Sequence, residues 1–307
     1  MNTNRNGFIQ LFKSSIFAPV VYPRLMVPSK SQYIVLVGLT TLLVFTSCSG
    51  GGFDPPPKSP SNADPNPVDP PSSNNTDPKL IWEDNFDGDA LNDQNWTFDV
   101  GRGGWGNEEL QNYTRGNHTV EKGMLTIEAK SSGPNSYSSS RIKTQGLQEF
   151  QYGRIEARIQ LPEGQGLWPA FWLLGADIED VGWPACGEID IMEYVGREPG
   201  IFQNAIHTPS GHAGEASSKR TRVEDLEGKF HVYSVNWTAQ AIEFYFNDRL
   251  TYQYSPSLKN NETYPFNKPM FILLNVAIGG TFGGPVGDNV VFPQKMIVDY
   301  VRVYEPD

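Results

Sequence analysis

Three acidic residues stand close together in the segment Trp183-Pro-Ala-Cys-Gly-Glu188-Ile189-Asp190-Ile191-Met192-Glu193-Tyr194. Apolar Ile189 and Ile191 alternate with Glu188 and Asp190, the period of a β-strand with its acids on one face. Strict alternation would turn Glu193 to the opposite face. One extra residue, a β-bulge near Met192, returns it to the face of Glu188 and Asp190. Carboxylates this close raise one another's pKa, which separates an acid that keeps its proton from one that is ionised. That pair of states is what glycoside hydrolysis needs. A solvated acidic strand face and a carboxylate metal site remain the other readings, the second without clustered histidine in the sequence to support it.

The elements that must carry these residues read as strands. Leu125, Ile127 and Ala129 alternate with Thr126, Glu128 and Lys130, and Ile155, Ala157, Ile159 and Leu161 with Arg154, Glu156, Arg158 and Gln160. Ile242, Phe244 and Phe246 alternate with Glu243 and Tyr245, and Tyr300, Arg302 and Tyr304 with Asp299, Val301 and Val303. Residues 271–278 are almost continuously apolar, as in a strand buried on both faces. No stretch sustains a helical period over about 12 residues. Many strands without helices predict an all-β domain over 80–307, as a two-sheet sandwich or a barrel.

The chain has 307 residues and a net charge of −11. Of its 24 Lys and Arg, Arg5, Lys13, Arg24 and Lys30 lie in 1–48, which has no acid; 20 remain against 35 Asp and Glu, a charge of −15. Such a surface repels phosphate backbones and anionic lipid heads, so no nucleic-acid partner is expected. Cys48 and Cys186 are too few for a disulfide framework. Lys30, the apolar run 33–45 and the small residues before Cys48 have the three parts of an export signal, and the run is too short to span a bilayer. The segment resembles the lipobox of bacterial lipoproteins, with Phe45 where Leu is usual. That resemblance implies lipidation at Cys48, removal of 1–47 and an exported product held on a membrane by its lipid alone, periplasmic or at the cell surface. Met26 is an alternative start. Residues 49–79 include nine prolines among 31 residues, with Gly, Ser and Asn, and read as an extended tether.

Further segments agree with the acidic strand. Glu188-Ile-Asp190-Ile-Met-Glu193 resembles the active-site strand of glycoside hydrolase family 16. Gly104-Trp-Gly-Asn-Glu-Glu-Leu-Gln111 is similar to a segment of the family's laminarinase branch. Gly166-Leu-Trp168-Pro-Ala-Phe-Trp172, Trp183-Pro184, Phe230 to Trp237, Leu274 to Gly280 and Val298 to Tyr304 follow in the family's order. The resemblance covers nearly all of 80–307. It implies a β-jelly roll, two antiparallel sheets with a substrate cleft on the concave face.

The resemblance also implies roles. Glu188 would be the nucleophile, Glu193 the acid/base and Asp190 their electrostatic partner, in a retaining double displacement with the two glutamates about 5–5.5 Å apart. Trp168, Trp172 and Trp183 are the expected sugar platforms, with Trp105 a further candidate. Asn107, Glu108 and Arg141 would serve the glycone side. His207 would sit near the cleavage point or be an ordinary core histidine, and Asn275 would serve the cleft or pin two strands. Cys186 reads as a small residue at a strand end; His118, His212 and His231 receive no role. A structural calcium ion would be held by the carbonyls of Asn85 and Gly123 and the carboxylate of Asp299, oxygen ligands that suit it. No cofactor is implied for catalysis, and a monomer is expected. The implied activity is endo-cleavage of β-1,3-glucan of laminarin type. Mixed-linkage β-1,3-1,4-glucan or a marine galactan is the alternative substrate, and a non-catalytic glucan-binding module the alternative function.

Overall fold

The computed structural model describes residues 79–306; the signal segment, Cys48 and the tether lie outside the described residues. The strands in chain order are β1 (Leu80–Asp84), β2 (Thr97–Asp99), β3 (Gln111–Tyr113), β4 (His118–Glu121), β5 (Met124–Gly133), β6 (Ser136–Ser139), β7 (Arg141–Lys143), β8 (Gly153–Gln160) and β9 (Leu167–Gly175). They continue as β10 (Glu188–Tyr194), β11 (Ile201–His207), β12 (Ser217–Arg222), β13 (Phe230–Trp237), β14 (Ile242–Phe246), β15 (Arg249–Tyr254), β16 (Met270–Ile278) and β17 (Gln294–Tyr304). The α-helices among the described residues are single turns, α1 (Ile178–Val181) and α2 (Gly280–Gly283).

Two sheets form. The first runs β12-β11-β10-β9-β16-β7-β2. The second runs β15-β14-β13-β8-β17-β5-β6-β3, with β1 added to β17 and β4 to β5. Strand pairs are antiparallel except β3 with β6, which run parallel. Ile155, Ala157 and Ile159 of β8 and Leu125, Ile127 and Ala129 of β5 are fully buried, as their alternation predicts. They meet Phe171, Leu173, Ile189, Ile191, Ile272 and Leu274 from the first sheet in one core. Each Ile, Leu and Phe among them contributes about 1.5–3 kcal/mol of burial.

Strand β16 is buried along its whole length. Met270, Ile272, Leu274, Val276 and Ile278 face the main core. Phe271 and Leu273 point the other way and join Leu174 and Cys186 in a smaller cluster. This accounts for the continuous apolar run. Cys186 is a buried free thiol within that cluster, and burial pushes its pKa up to about 11. An unionised thiol is a packing group, not a nucleophile.

Candidate active site

The bulge is where alternation demanded it. Toward β9, Asp190 pairs with Trp172 and Met192 with Phe171, so one residue of β10 is unmatched. Toward β11, Asp190 pairs with Ala205 and Glu193 with Gln203, three steps against two. Ile191 and Met192 are both fully buried in the core as a result. Glu188, Asp190 and Glu193 thus share the opposite face of the first sheet and line one cleft of about 750 Å³.

Each glutamate receives an indole N–H. Trp183 Nε1 donates to Glu188 Oε2 at 2.9 Å, and Trp168 Nε1 to Glu193 Oε1 at 3.0 Å. Gln203 Nε2 approaches Glu193 Oε2 at 3.5 Å from the paired strand. His207, opposite Glu188 on β11, places Nε2 3.0 Å from Asp190 Oδ2 and 3.8 Å from Glu188 Oε1. His207 is therefore a cleft residue. It also joins the acids in space: Glu188, Asp190 and His207 each bring one ligand-type atom within 4.8 Å of the others. The linear sequence hides this cluster.

Burial raises the pKa of all three acids. Asp190 is only 3% exposed and Glu193 8%. Glu193 is held well above the usual carboxylate range, first by burial and then by the charge of Asp190. Glu188 is pushed up to about 8 by burial and then by Asp190, while His207, the Trp183 indole and Arg141 pull it back. Asp190 is raised by burial and eased by its hydrogen bond with Glu188. Glu193 is thereby the group that best keeps a proton. Glu188 has the most cationic and donor groups to favour its ionised form.

On the other side of β10, Trp172 Nε1 donates to Asn275 Oδ1 at 2.8 Å, and Asn275 Nδ2 donates to Tyr113 Oη at 3.1 Å. Tyr113 Oη donates in turn to Glu109 Oε2 at 3.3 Å, which also accepts from Gln111 Nε2 at 2.5 Å. Gln111 Oε1 accepts the backbone N–H of Ile278 at 2.7 Å. Asn275 therefore lines the cleft and also pins β16 to β9 and β3. Arg141 lies 3.0 Å from Asp99 through Nε, with its guanidinium over the rings of Trp172 at 4.7 Å and Trp105 at 5.2 Å.

One expectation needs correction. Glu108 is exposed and is absent from the cleft lining, whereas Glu109 is buried within it. Trp105 and Glu108 hold positive φ of 49° and 58°, and the turn they make carries Glu109 inward. Burial raises the Glu109 pKa, and Gln111, Arg141, Asn107 and Tyr113 lower it again. Adjacent glutamates cannot be told apart without that turn. Asn107 lines the cleft as expected, and its Nδ2 reaches Glu109 Oε1 at 3.4 Å. Sequence reasoning also missed Gln203 and Phe282 in the lining. Gln203 is legible only once β11 is paired with β10.

The proposed calcium ligands lie away from the cleft, where β17 passes from β5 to β1. Val298 pairs with Leu125, and Val301 with Asp84, so Asp299 falls beside the turn at Gly123 and the end of β1. A Cβ at Gly123 would meet Asp87 Oδ1 at 3.6 Å and Asn85 O at 4.0 Å. Oxygens thus gather around a bare backbone, and the set fits a hard cation. Asp299 Oδ2 is engaged by Arg158.

With this geometry in hand, comparison with known proteins is decisive. The sequence model of Glycosyl hydrolases family 16 matches residues 106–301. This chain belongs to that family. The Beta-glucanase of Rhodothermus marinus is 40% identical over 243 residues, covering 74% of this chain and 85% of that protein. The crystal structure of a laminarinase from Flavobacterium sp. UMI-01 superposes with a TM-score of 0.72 at 48% identity, over 74% of this chain and all of the other. The laminarinase catalytic domain of Thermotoga maritima gives 0.70 at 36% identity, over 75% and 99%. The chain is thus a family 16 glycoside hydrolase, and its fold is the jelly roll that the resemblance implied.

Proposed function

We propose that this hydrolase cleaves internal β-1,3 linkages of a laminarin-type glucan by double displacement. One observation carries the reading. The β10 bulge puts Glu188 and Glu193 on one cleft face, each fixed by its own indole donor.

Glu193, which keeps its proton, donates it to the glycosidic oxygen. Glu188 attacks the anomeric carbon as the C–O bond to the leaving sugar breaks, and a glycosyl ester forms. Glu193, now ionised, takes a proton from water. That water attacks the same carbon, the ester bond breaks and Glu188 leaves as carboxylate. The charge of Asp190 raises the proton affinity of Glu193. The chemistry needs no redox or metal step. The tryptophans and the Asn275–Tyr113–Glu109 chain supply flat faces and directional polar groups for a sugar chain. The relatives described as a beta-glucanase and laminarinases support glucan over galactan.

Two further proposals concern the rest of the chain. Asn85, Gly123 and Asp299 hold a structural calcium ion. Cys48 carries lipid, so that the exported enzyme works on polysaccharide from a membrane surface.

The protein is incubated with laminarin, barley mixed-linkage glucan and agarose, and new reducing ends are measured, with Glu188→Gln as control. Release from laminarin by the wild type only is expected, with medium-length products appearing first. Equal release by both proteins would sink the assignment of Glu188. Preferential release from agarose would move the substrate to a galactan.

A further inference from the structure

The loop from Thr208 to Ala216, between β11 and β12, takes no part in the steps above. It closes on itself. Thr208 N–H donates to Gly211 O at 2.9 Å, Gly211 N–H to Thr208 O at 3.1 Å, and Glu215 N–H to His212 O at 3.0 Å. Ser210 N–H ties it to Glu262 O at 2.9 Å. Within it Ala213 holds φ at 49°, the left-handed region that a residue with a Cβ enters at a cost of about 1 kcal/mol.

Two contacts leave this loop toward the acids. Ala213 N–H donates to Nδ1 of His207 at 3.1 Å. His212 sets its ring edge-on to Trp183, with centroids 5.2 Å apart and planes at 84°. Its own Nδ1 lies 3.2 Å from Thr208 O, to which it donates. Trp183 is 44% exposed, so little else holds it; the His207 ring lies on it at 5.8 Å.

We propose that the Thr208–Ala216 loop is a positioning device for the nucleophile, acting on Glu188 through His207 and Trp183. Only an unprotonated ring nitrogen accepts a backbone N–H, so Nδ1 of His207 is bare and the neutral ring carries its proton on Nε2. Nε2 lies 3.0 Å from Asp190 Oδ2 and 3.8 Å from Glu188 Oε1, and the buried Asp190 Oδ2 accepts no hydrogen bond from any other residue, so this ring nitrogen is its one polar neighbour among the described residues. The same proton occupies the nitrogen that a metal would need in the Glu188–Asp190–His207 cluster. His212 is a positioning residue. It props the exposed indole whose N–H holds Glu188, and it touches neither Glu188 nor Asp190.

The proposal rests on Glu188 as nucleophile, and its test separates the two claims. Long-range 1H–15N NMR of histidine-labelled wild type is expected to show a bare Nδ1 and a protonated Nε2 at His207. The reverse tautomer overturns the loop's role. His212→Ala is expected to lower kcat about two- to ten-fold, the range of one edge-on ring contact, with KM little changed. The acidic limb of kcat/KM should move to higher pH, because Glu188 loses a well-held donor that favours its ionised form. His212→Phe, which keeps the ring edge, should restore most of both. Wild-type kinetics in His212→Ala, or a loss of rate with an unmoved acidic limb, contradicts the proposal. The NMR readout needs no turnover, so a wild type inactive on every glucan overturns the functional reading and not the tautomer.

Discussion

Trp168 and Trp183, proposed as sugar platforms, also act as hydrogen-bond donors to Glu193 and Glu188. The indole N–H of Trp168 stabilises the ionised form of Glu193, so Trp168→Phe should raise the Glu193 pKa further. Because Glu193 must be protonated to act, the alkaline limb of kcat/KM should shift to higher pH while kcat falls. An alkaline limb that stays in place would show that Glu193 is not the acid. The acids also oppose folding. Their folded pKa values lie above the unfolded ones, so the stability they allow is complete below about pH 4 and is lost as pH rises toward about 8. Glu188→Gln and Glu193→Gln should therefore melt roughly 2–8 °C above wild type at pH 8–9, with little difference at pH 4. Activity should fall by about 10²–10⁴-fold for the Glu193 variant. Calorimetry at the two pH values checks the sign. The gathering of Glu188, Asp190 and Glu193 on one cleft face was legible, because Glu-x-Asp-x-x-Glu between apolar residues asks for it. The choice between Glu108 and Glu109 was not, because it depends on two positive φ angles that side-chain types do not announce.

Strands set what those residues can do. The bulge in β10 was readable as a requirement, since only an extra residue reconciles buried Ile191 and Met192 with a cleft-facing Glu193. The continuous apolar run of β16 was readable as double burial, although its second cover, Leu174 and Cys186, comes from distant positions. Pairing was not readable. That β11 brings Gln203 opposite Glu193 and His207 opposite Glu188 follows from register, which the residue types in the connection 195–200 do not announce. The unanticipated parallel pairing of β3 with β6 has the same origin. Asn275 ties three strands together with both ends of its amide. Asn275→Leu strands the Trp172 N–H and removes the donor to the Tyr113 hydroxyl, at a cost of about 1–3 kcal/mol. A melting point several degrees lower and a raised KM are expected, with kcat affected less. An unchanged melting point would mean that water replaces the amide.

Across the whole molecule, an acidic domain with a tryptophan-lined cleft suits the proposed neutral polysaccharide. The proposed calcium ion joins the end of β1 and the turn at Gly123 to the middle of β17. Chelation should lower the melting temperature by a few degrees, and added Ca2+ should restore it, as for any ligand of the folded state alone. A chelator-insensitive melt would remove the site. Mass spectrometry of the native N-terminus should find diacylglycerol on Cys48; cleavage elsewhere with an unmodified cysteine would remove the anchor. The central claim is that Glu188 forms a covalent bond to the sugar while Glu193 manages the proton. A fluorinated β-glucosyl substrate, in which hydrolysis of the ester is slowed, followed by peptide mass spectrometry, tests it most directly. The account predicts one glycosyl adduct, on Glu188. An adduct on Asp190 or Glu193 would contradict it, as would no adduct with products of inverted configuration.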